Sequence, residues 1–326
     1  MSRAGALRLV VAAGLTGFLL WKSDPASVAA AARGADWRPI AVAVILVLID
    51  RALMAYRWVA LLCIVEPAAR PSLGAIMRIF FVSTFVGTFL PASVGSDAVR
   101  AYSVMRLNVG GGDAVASVLM DRVLGVASIL IMALVGLTLA SDLVDNWTIL
   151  TALIVSAAAC FIALALVFSR RAAAIAARAT RVLPANVRQP VERGVGSLLD
   201  SIGRYAAYHR ELAQVLLASL AVQTLRIAQA YYLGRGLGIA APASAYLAFI
   251  PLILLIMLLP VTINGIGTSQ AAFVWFFARA GVPSASAFAL SILFVALGIV
   301  GNLPGGLLYA AGRSSSPSAG SALRSG

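Results

Sequence analysis

Phe85–Tyr102, FVGTFLPASVGSDAVRAY, interrupts an apolar run with Pro91, Gly95, Ser96, Asp97 and Arg100. Backbone that leaves the helix at membrane depth finds no water for its N–H and C=O groups. Such a break is tolerated only where it is buried in protein or lines a cavity. Leu254–Phe276, LLIMLLPVTINGIGTSQAAFVWF, repeats the device with Pro260, Asn264, Gly265, Gly267, Thr268 and Gln270. The two breaks predict a membrane transporter organised around them.

The limbs on either side of the first break are short. Ile76–Leu90 enters and Asp97–Arg106 returns. At ~1.5 Å per residue they reach ~15 to 22 Å, less than the ~30 Å hydrocarbon core, so both belong to one side of the bilayer. The second hairpin runs Ala245–Pro260 and Thr268–Ala280. Around these lie segments long enough to cross: Ala6–Trp21, Pro39–Ile64, Ala114–Ala140, Trp147–Phe168, Glu211–Leu233 and Ser284–Ala311. The first of them has Arg3 before it and Arg8 near its start and also fits a signal peptide with SVAAAARG as its cleavage region; we read it as an uncleaved span.

With 326 residues, 61% hydrophobic and only 11% charged, the chain has the composition of an all-α polytopic membrane protein: about six transmembrane helices plus two re-entrant broken hairpins. A net charge of +13 raises the question of nucleic acid, but the arginines flank or enter apolar runs rather than forming a basic module with stacking aromatics. Anionic inner-leaflet lipid is the expected counter-charge, and no nucleic-acid partner is expected. Cys63 and Cys160 fall within apolar segments and make neither a disulfide framework nor a metal motif.

Orientation follows from the basic stretch 169–210, which holds Arg170, Arg171, Arg178, Arg181, Arg188, Arg193, Arg204 and Arg210; the acidic loop SDLVDN, 141–146, has no Lys or Arg. The positive-inside bias makes 169–210 cytoplasmic and places 22–38 outside, so both termini are expected in the cytoplasm of an inner-membrane protein. Val187, Val191, Val195, Leu198, Ile202 and Tyr205 recur at helical spacing, which fits either an amphipathic helix on the anionic leaflet or a connector packed on the spans. One transporter domain, 1–311, is expected, with halves of about 39–140 and 211–311, followed by a disordered tail, 312–326.

The halves match. Arg57 stands as far before Pro91 as Arg226 stands before Pro260 (91 − 57 = 260 − 226). Each half reads span, broken hairpin, span. With the basic connector fixing orientation, the first hairpin enters from the cytoplasm and the second from outside, which is an inverted-topology repeat of the alternating-access kind.

Charges inside spans cost ~2.5 to 3.5 kcal/mol each on insertion scales, so they pair or line a path. Asp50, Asp97 and Asp121 face five bases, Arg51, Arg57, Arg100, Arg122 and Arg226, an excess of two positive charges. An arriving anion relieves that excess, and phosphate matches the arginine fork. Adjacent helix residues diverge by about 100°, so Asp121 and Arg122 are expected to find different partners. The starts of the returning limbs, at Asp97 and at Thr268 or Ser269, turn free N–H groups and a positive dipole end inward. Their residue types equally suit N-capping, and the glycines suit sharp turning. The expected substrate-binding set is therefore Arg57, Gly95, Asp97, Arg100, Asp121, Arg122, Arg226, Asn264, Gly265, Gly267, Thr268 and Gln270. Gln223, Gln229 and Asn302 are read as interhelical hydrogen-bonding residues. No cofactor, metal or catalytic residue is expected: His209 lies in the basic connector, and no nucleophile and base pair stands out. Asp97 or Asp121 can serve as a proton relay.

RALMAYRWVALL, GTFLPASVGSDAVRAY, SVLMDRVLGV, LPVTINGIGTSQAAFVWFF and LPGGLLYA, in that order, resemble the lysylphosphatidylglycerol synthase transmembrane-region family of flippase-like proteins. The resemblance runs from the second span to Ala311 without the aminoacyltransferase domain that accompanies such regions. It implies the lipid-translocating half alone, in a bacterial or archaeal inner membrane. Pro91, Gly95, Asp97, Arg100, Asp121 and Arg122 fit the family pattern. Ser96 replaces its usual second glycine, and Gln270 stands where a glutamate is common. Loss of that acid removes a group that could recognise a cationic headgroup, and a plain anionic lipid, a polyprenyl-phosphate lipid or a hopanoid precursor fits this variant at least as well as an aminoacylated lipid. The expected function is lipid flipping. The alternatives are secondary transport of a soluble organic or phosphorylated anion, a lipid-acting membrane enzyme, and a non-transporting partner of a lipid-modifying enzyme. A homodimer is compatible with all of these.

Overall fold

The structure, a computed structural model, describes residues 33–65, 72–89, 94–107, 109–140, 185–205, 207–258 and 267–313, with isolated positions at 26, 28, 30, 147, 151, 154 and 158. The first apolar segment, most of 141–184, Pro91, Pro260, Asn264, Gly265 and the tail beyond Arg313 lie outside the described residues. Nine α-helices are described: α1 (Trp37–Val65), α2 (Leu73–Phe89), α3 (Val94–Met105), α4 (Gly111–Leu139), α5 (Ala185–Tyr205), α6 (His209–Gly236), α7 (Ala243–Leu258), α8 (Thr268–Phe277) and α9 (Ser284–Arg313). There is no strand among the described residues.

Length sorts the helices into two kinds. α1, α4, α6 and α9 have 29, 29, 28 and 30 residues and are long and apolar enough to cross a membrane. Their outer faces are apolar too: Ile45, Leu217, Ile292, Leu303 and Leu307 are exposed. A soluble bundle would turn such residues inward, whereas lipid accepts them. α2, α3, α7 and α8 have 17, 12, 16 and 10 residues, too few to cross. They are the limbs of the two hairpins.

The second set of elements repeats the first. α6, α7, α8 and α9 follow α1, α2, α3 and α4 at nearly equal offsets between their starts (209 − 37, 243 − 73, 268 − 94 and 284 − 111). Exchanging α1 with α6, α2 with α7, α3 with α8 and α4 with α9 turns each major packing pair of these eight helices into another such pair. The long helices α1 and α6 pack along their length, and they do so antiparallel. Asp36 N–H donates to the Gly236 carbonyl at 2.8 Å near one end, Asp50 meets Arg226 at 3.4 Å, and Arg57 meets Ser219 at 3.0 Å farther along. A two-fold relation that carries a helix onto an antiparallel partner inverts the halves, the arrangement of inverted-topology repeats.

The halves are interlocked rather than side by side. The entering limb of each packs against the last long helix of the other, α2 on α9 and α7 on α4. Glycine permits it: a Cβ on Gly136 would meet the Leu247 carbonyl, and one on Gly305, its counterpart in the second half, would meet the Phe81 carbonyl. Two apolar cores result. One gathers Trp58, Leu62, Phe80, Val104 and Met120 at the α5 end of the bundle; the other gathers Tyr246, Phe249, Phe273, Phe277 and Leu290 at the opposite end. Phe80 and Phe249, Val104 and Phe273, and the two glycines all share one offset (249 − 80 = 273 − 104 = 305 − 136).

α5 has no counterpart in the second set. Its Ile202 and Tyr205 are buried in the first core. Tyr205 OH donates to the Leu61 carbonyl at 3.0 Å, Ser201 Oγ donates to Asp113 Oδ1 at 2.6 Å, and Arg204 forms an ion pair with Asp113. Burial, with Asp113 close by, raises the Tyr205 phenol above its ordinary value. α5 is thus a connector packed on the long helices, clamped to the end of α1 and the start of α4.

Candidate functional site

A cavity of about 500 Å³ lies where the two halves meet. The tips of both entering limbs reach it, Thr84, Gly87 and Thr88 from α2 and Leu254 and Met257 from α7. α1 contributes Val47, Asp50 and Arg51; α3 gives Ser96, α4 gives Arg122, and α6 gives Arg226 and Gln229. α9 closes it with Phe294, Val295, Gly298, Ile299 and Asn302. A Cβ on Gly87 would collide with Ser96, so the close approach of α2 and α3 at the tip depends on that glycine.

The cationic wall is held in place residue by residue. Arg51 donates from Nε to Asn302 Oδ1 at 2.9 Å and from Nη1 to Asp50 Oδ2 at 2.9 Å, and Asn302 Nδ2 donates to Thr88 Oγ1 at 2.8 Å. Arg226 approaches the other oxygen of Asp50 at 3.4 Å and Met54 Sδ at 3.2 Å. Asp50 is only 1% exposed, and its Oδ1 accepts no hydrogen bond among the described residues. Arg122 is gripped from outside the lining: Nε and Nη2 donate to the two oxygens of Asp97 at 2.7 and 3.0 Å, the bidentate geometry of a strong pair. Three arginines and one aspartate on the lining leave two positive charges uncompensated, and Asp97 removes one of them. Gln229 Nε2 is buried and lacks a partner among the described residues, a donor left on an anion-seeking wall.

A second charged cluster lies nearer the α5 end, two turns along α1 from Asp50, or ~10 Å at ~1.5 Å per residue. Asp121 there bridges Arg57 at 2.7 Å and Arg100 at 3.3 Å. The Arg100 guanidinium sits over Trp58 and Phe80, 5.0 and 4.6 Å from the ring centroids. All three ionic side chains are deeply buried.

These contacts redistribute the residues expected from sequence. Arg122 and Arg226 line the cavity. Arg57, Arg100 and Asp121 form the deeper cluster instead. Asp97 and Arg100 lie one turn apart on α3 but do not pair, because Arg100 turns to the aromatic rings and Asp121 while Asp97 takes Arg122. Asp97 is also no N-cap: α3 begins at Val94, which leaves Asp97 in the first turn, where a carboxylate still suits the helix dipole. Gly95 precedes it without reaching the lining. At the start of α8, Gly267 adopts φ 89°, a conformation that favours glycine, and its N–H donates to Gln270 Oε1, as does Ser269 Oγ. Gly267, Thr268 and Gln270 thus shape a helix start away from the cavity lining, and Asn264 and Gly265 lie outside the described residues. The structure adds Asp50, Arg51, Thr84, Thr88, Gln229 and Asn302 to the site. The available signal was a lone polar residue in an apolar helix; Asn302 makes the interhelical bonds expected of it and lines the cavity at the same time.

The family described as the lysylphosphatidylglycerol synthase TM region matches residues 5–305. The chain belongs to that family. Its helices and its membership together make it a polytopic membrane protein of lipid-related processes. No curated protein matches the chain. In this lysylphosphatidylglycerol synthase-type membrane region, the cavity brings together the ends of both entering limbs, both halves and unbalanced charge.

Proposed function

We propose that this protein is a flippase: it moves an anionic or polyprenyl-phosphate lipid between leaflets of the inner membrane, with the headgroup passing through the cationic cavity and the chains remaining in the bilayer. The observation that carries this reading is the wall of Arg51, Arg122 and Arg226 around a cavity of about 500 Å³ at the tips of two inverted hairpins. A volume in the range of small-molecule sites suits a headgroup rather than whole acyl chains. Ile299 belongs both to the lining and to the exposed apolar surface, which supplies a lateral exit for those chains. The positive-inside distribution supports cytoplasmic termini, with α5 on the cytoplasmic face near anionic lipid. The reading assigns no catalytic step to the protein.

Native mass spectrometry of the purified protein tests it. Wild type should retain an anionic lipid. Arg226→Gln, which leaves the Arg51–Asp50 pair intact, should weaken retention about tenfold or more, the worth of one charged hydrogen bond. A protein that retains zwitterionic lipid equally well, or whose Arg226→Gln variant holds lipid like wild type, contradicts the proposal.

A further inference from the structure

The repeat allows the chain to be compared with itself. Arg226 and Arg57 share the offset of the groups they face across the α1–α6 seam, Ser219 and Asp50 (226 − 57 = 219 − 50). The two arginines therefore hold equivalent places in the inverted frame. Their surroundings differ. Arg226 opens on the cavity, whereas Arg57 is closed in with Asp121 and Arg100. That closed cluster has two cations on one carboxylate, a net charge of one. It also has two idle donors: Arg100 Nε and Trp58 Nε1 are buried without a partner among the described residues. Buried donors normally find acceptors, and buried charge normally finds a counter-charge.

We infer that Arg57, Arg100 and Trp58 form a second anion station, selective for a phosphate-type oxyanion, toward the α5 end of the molecule. A phosphodiester brings one negative charge, which neutralises the cluster, and oxygens enough for both idle donors. Asp121 holds the two arginines together between visits. In an inverted repeat each half can take the other's conformation, which moves the opening now before Arg226 to Arg57. This inference rests on the proposed function in one respect: the visiting anion is the lipid headgroup handed on from the cavity.

Arg57→Gln is the variant of choice, because it leaves Asp121 and Arg100 as a balanced pair and so keeps the fold. In full-length protein, dioctanoyl phosphatidylglycerol should bind within about twofold of wild type, since the first station is intact, while leaflet exchange in vesicles falls about tenfold or more. Arg57→Lys should recover part of the exchange. Exchange at the wild-type rate, or binding and exchange lost in equal measure, overturns the second station. Should wild type neither bind nor exchange this lipid, the lipid reading fails by itself. Calorimetric titration of Arg226→Gln protein, whose first station is weakened, with inorganic phosphate then reads the second station separately. Phosphate binding that disappears on adding Arg57→Gln keeps it as a site for a free anion; no binding, or binding unchanged by Arg57→Gln, removes it.

Discussion

Asp97 and Asp121, on α3 and α4, divide three arginines between them: Asp97 takes Arg122, and Asp121 takes Arg57 and Arg100. The excess of positive charge and the need for Asp121 and Arg122 to find separate partners follow from counting charges and from helix geometry. Which arginine each acid takes does not follow, because partner choice depends on how α3 rotates against α1, α2 and α4. The rings of Trp58 and Phe80 draw Arg100 away from Asp97. The structure therefore predicts different costs for three neighbouring changes. Asp121→Asn leaves two buried arginines without a carboxylate and should cost about 3–5 kcal/mol. Arg100→Gln keeps the Arg57–Asp121 pair and should cost about 1–2 kcal/mol, mainly the lost cation–π contacts. Asp97→Asn should loosen Arg122 with a smaller loss, since that pair is partly exposed. Thermal melting of the three variants in one detergent checks the order, and an Asp121→Asn protein as stable as Arg100→Gln would contradict it.

Helices were the most legible level. Every described span and limb falls within a few residues of its expected position, because the apolar runs and their proline and glycine interruptions act locally. α5 had two readings, and only packing decides between them: Ile202, Tyr205 and the Ser201–Asp113–Arg204 contacts bind it to the long helices. The interlocking of the halves was not legible, since a glycine in an apolar helix gives no sign of which backbone it admits. Gly305→Ala and Gly136→Ala should each cost about 1–3 kcal/mol by pressing a methyl group into a carbonyl of the facing limb. Gly203→Ala, with open space around the new methyl, should be neutral or slightly stabilising. Melting temperatures compare them directly, and two tolerated changes at 136 and 305 would mean that the limbs do not pack so closely in solution.

For the whole molecule, two copies of a span, hairpin and span unit face each other in opposite senses, and the site falls where their tips meet. The matched spacing of Arg57 and Arg226 carried that symmetry in the sequence. The break in symmetry, Asp50 facing one arginine and Ser219 the other, emerges only once α1 and α6 are placed side by side. Orientation rests on the arginine distribution, and it has its own check. A cysteine at the exposed Asp200 of α5 should react with impermeant reagent only from the cytoplasmic side, and one at the exposed Ala240 only from outside. Reversed labelling would turn the molecule over. Whether the cationic cavity passes lipid headgroups between leaflets is decided by reconstituting the protein in vesicles with a panel of fluorescent lipids and measuring exchange. Wild type should speed exchange of anionic lipids well above protein-free vesicles, and Arg226→Gln should lose about tenfold or more of that rate; a panel in which no lipid moves faster, or a variant that matches wild type, rules out passage through this cavity.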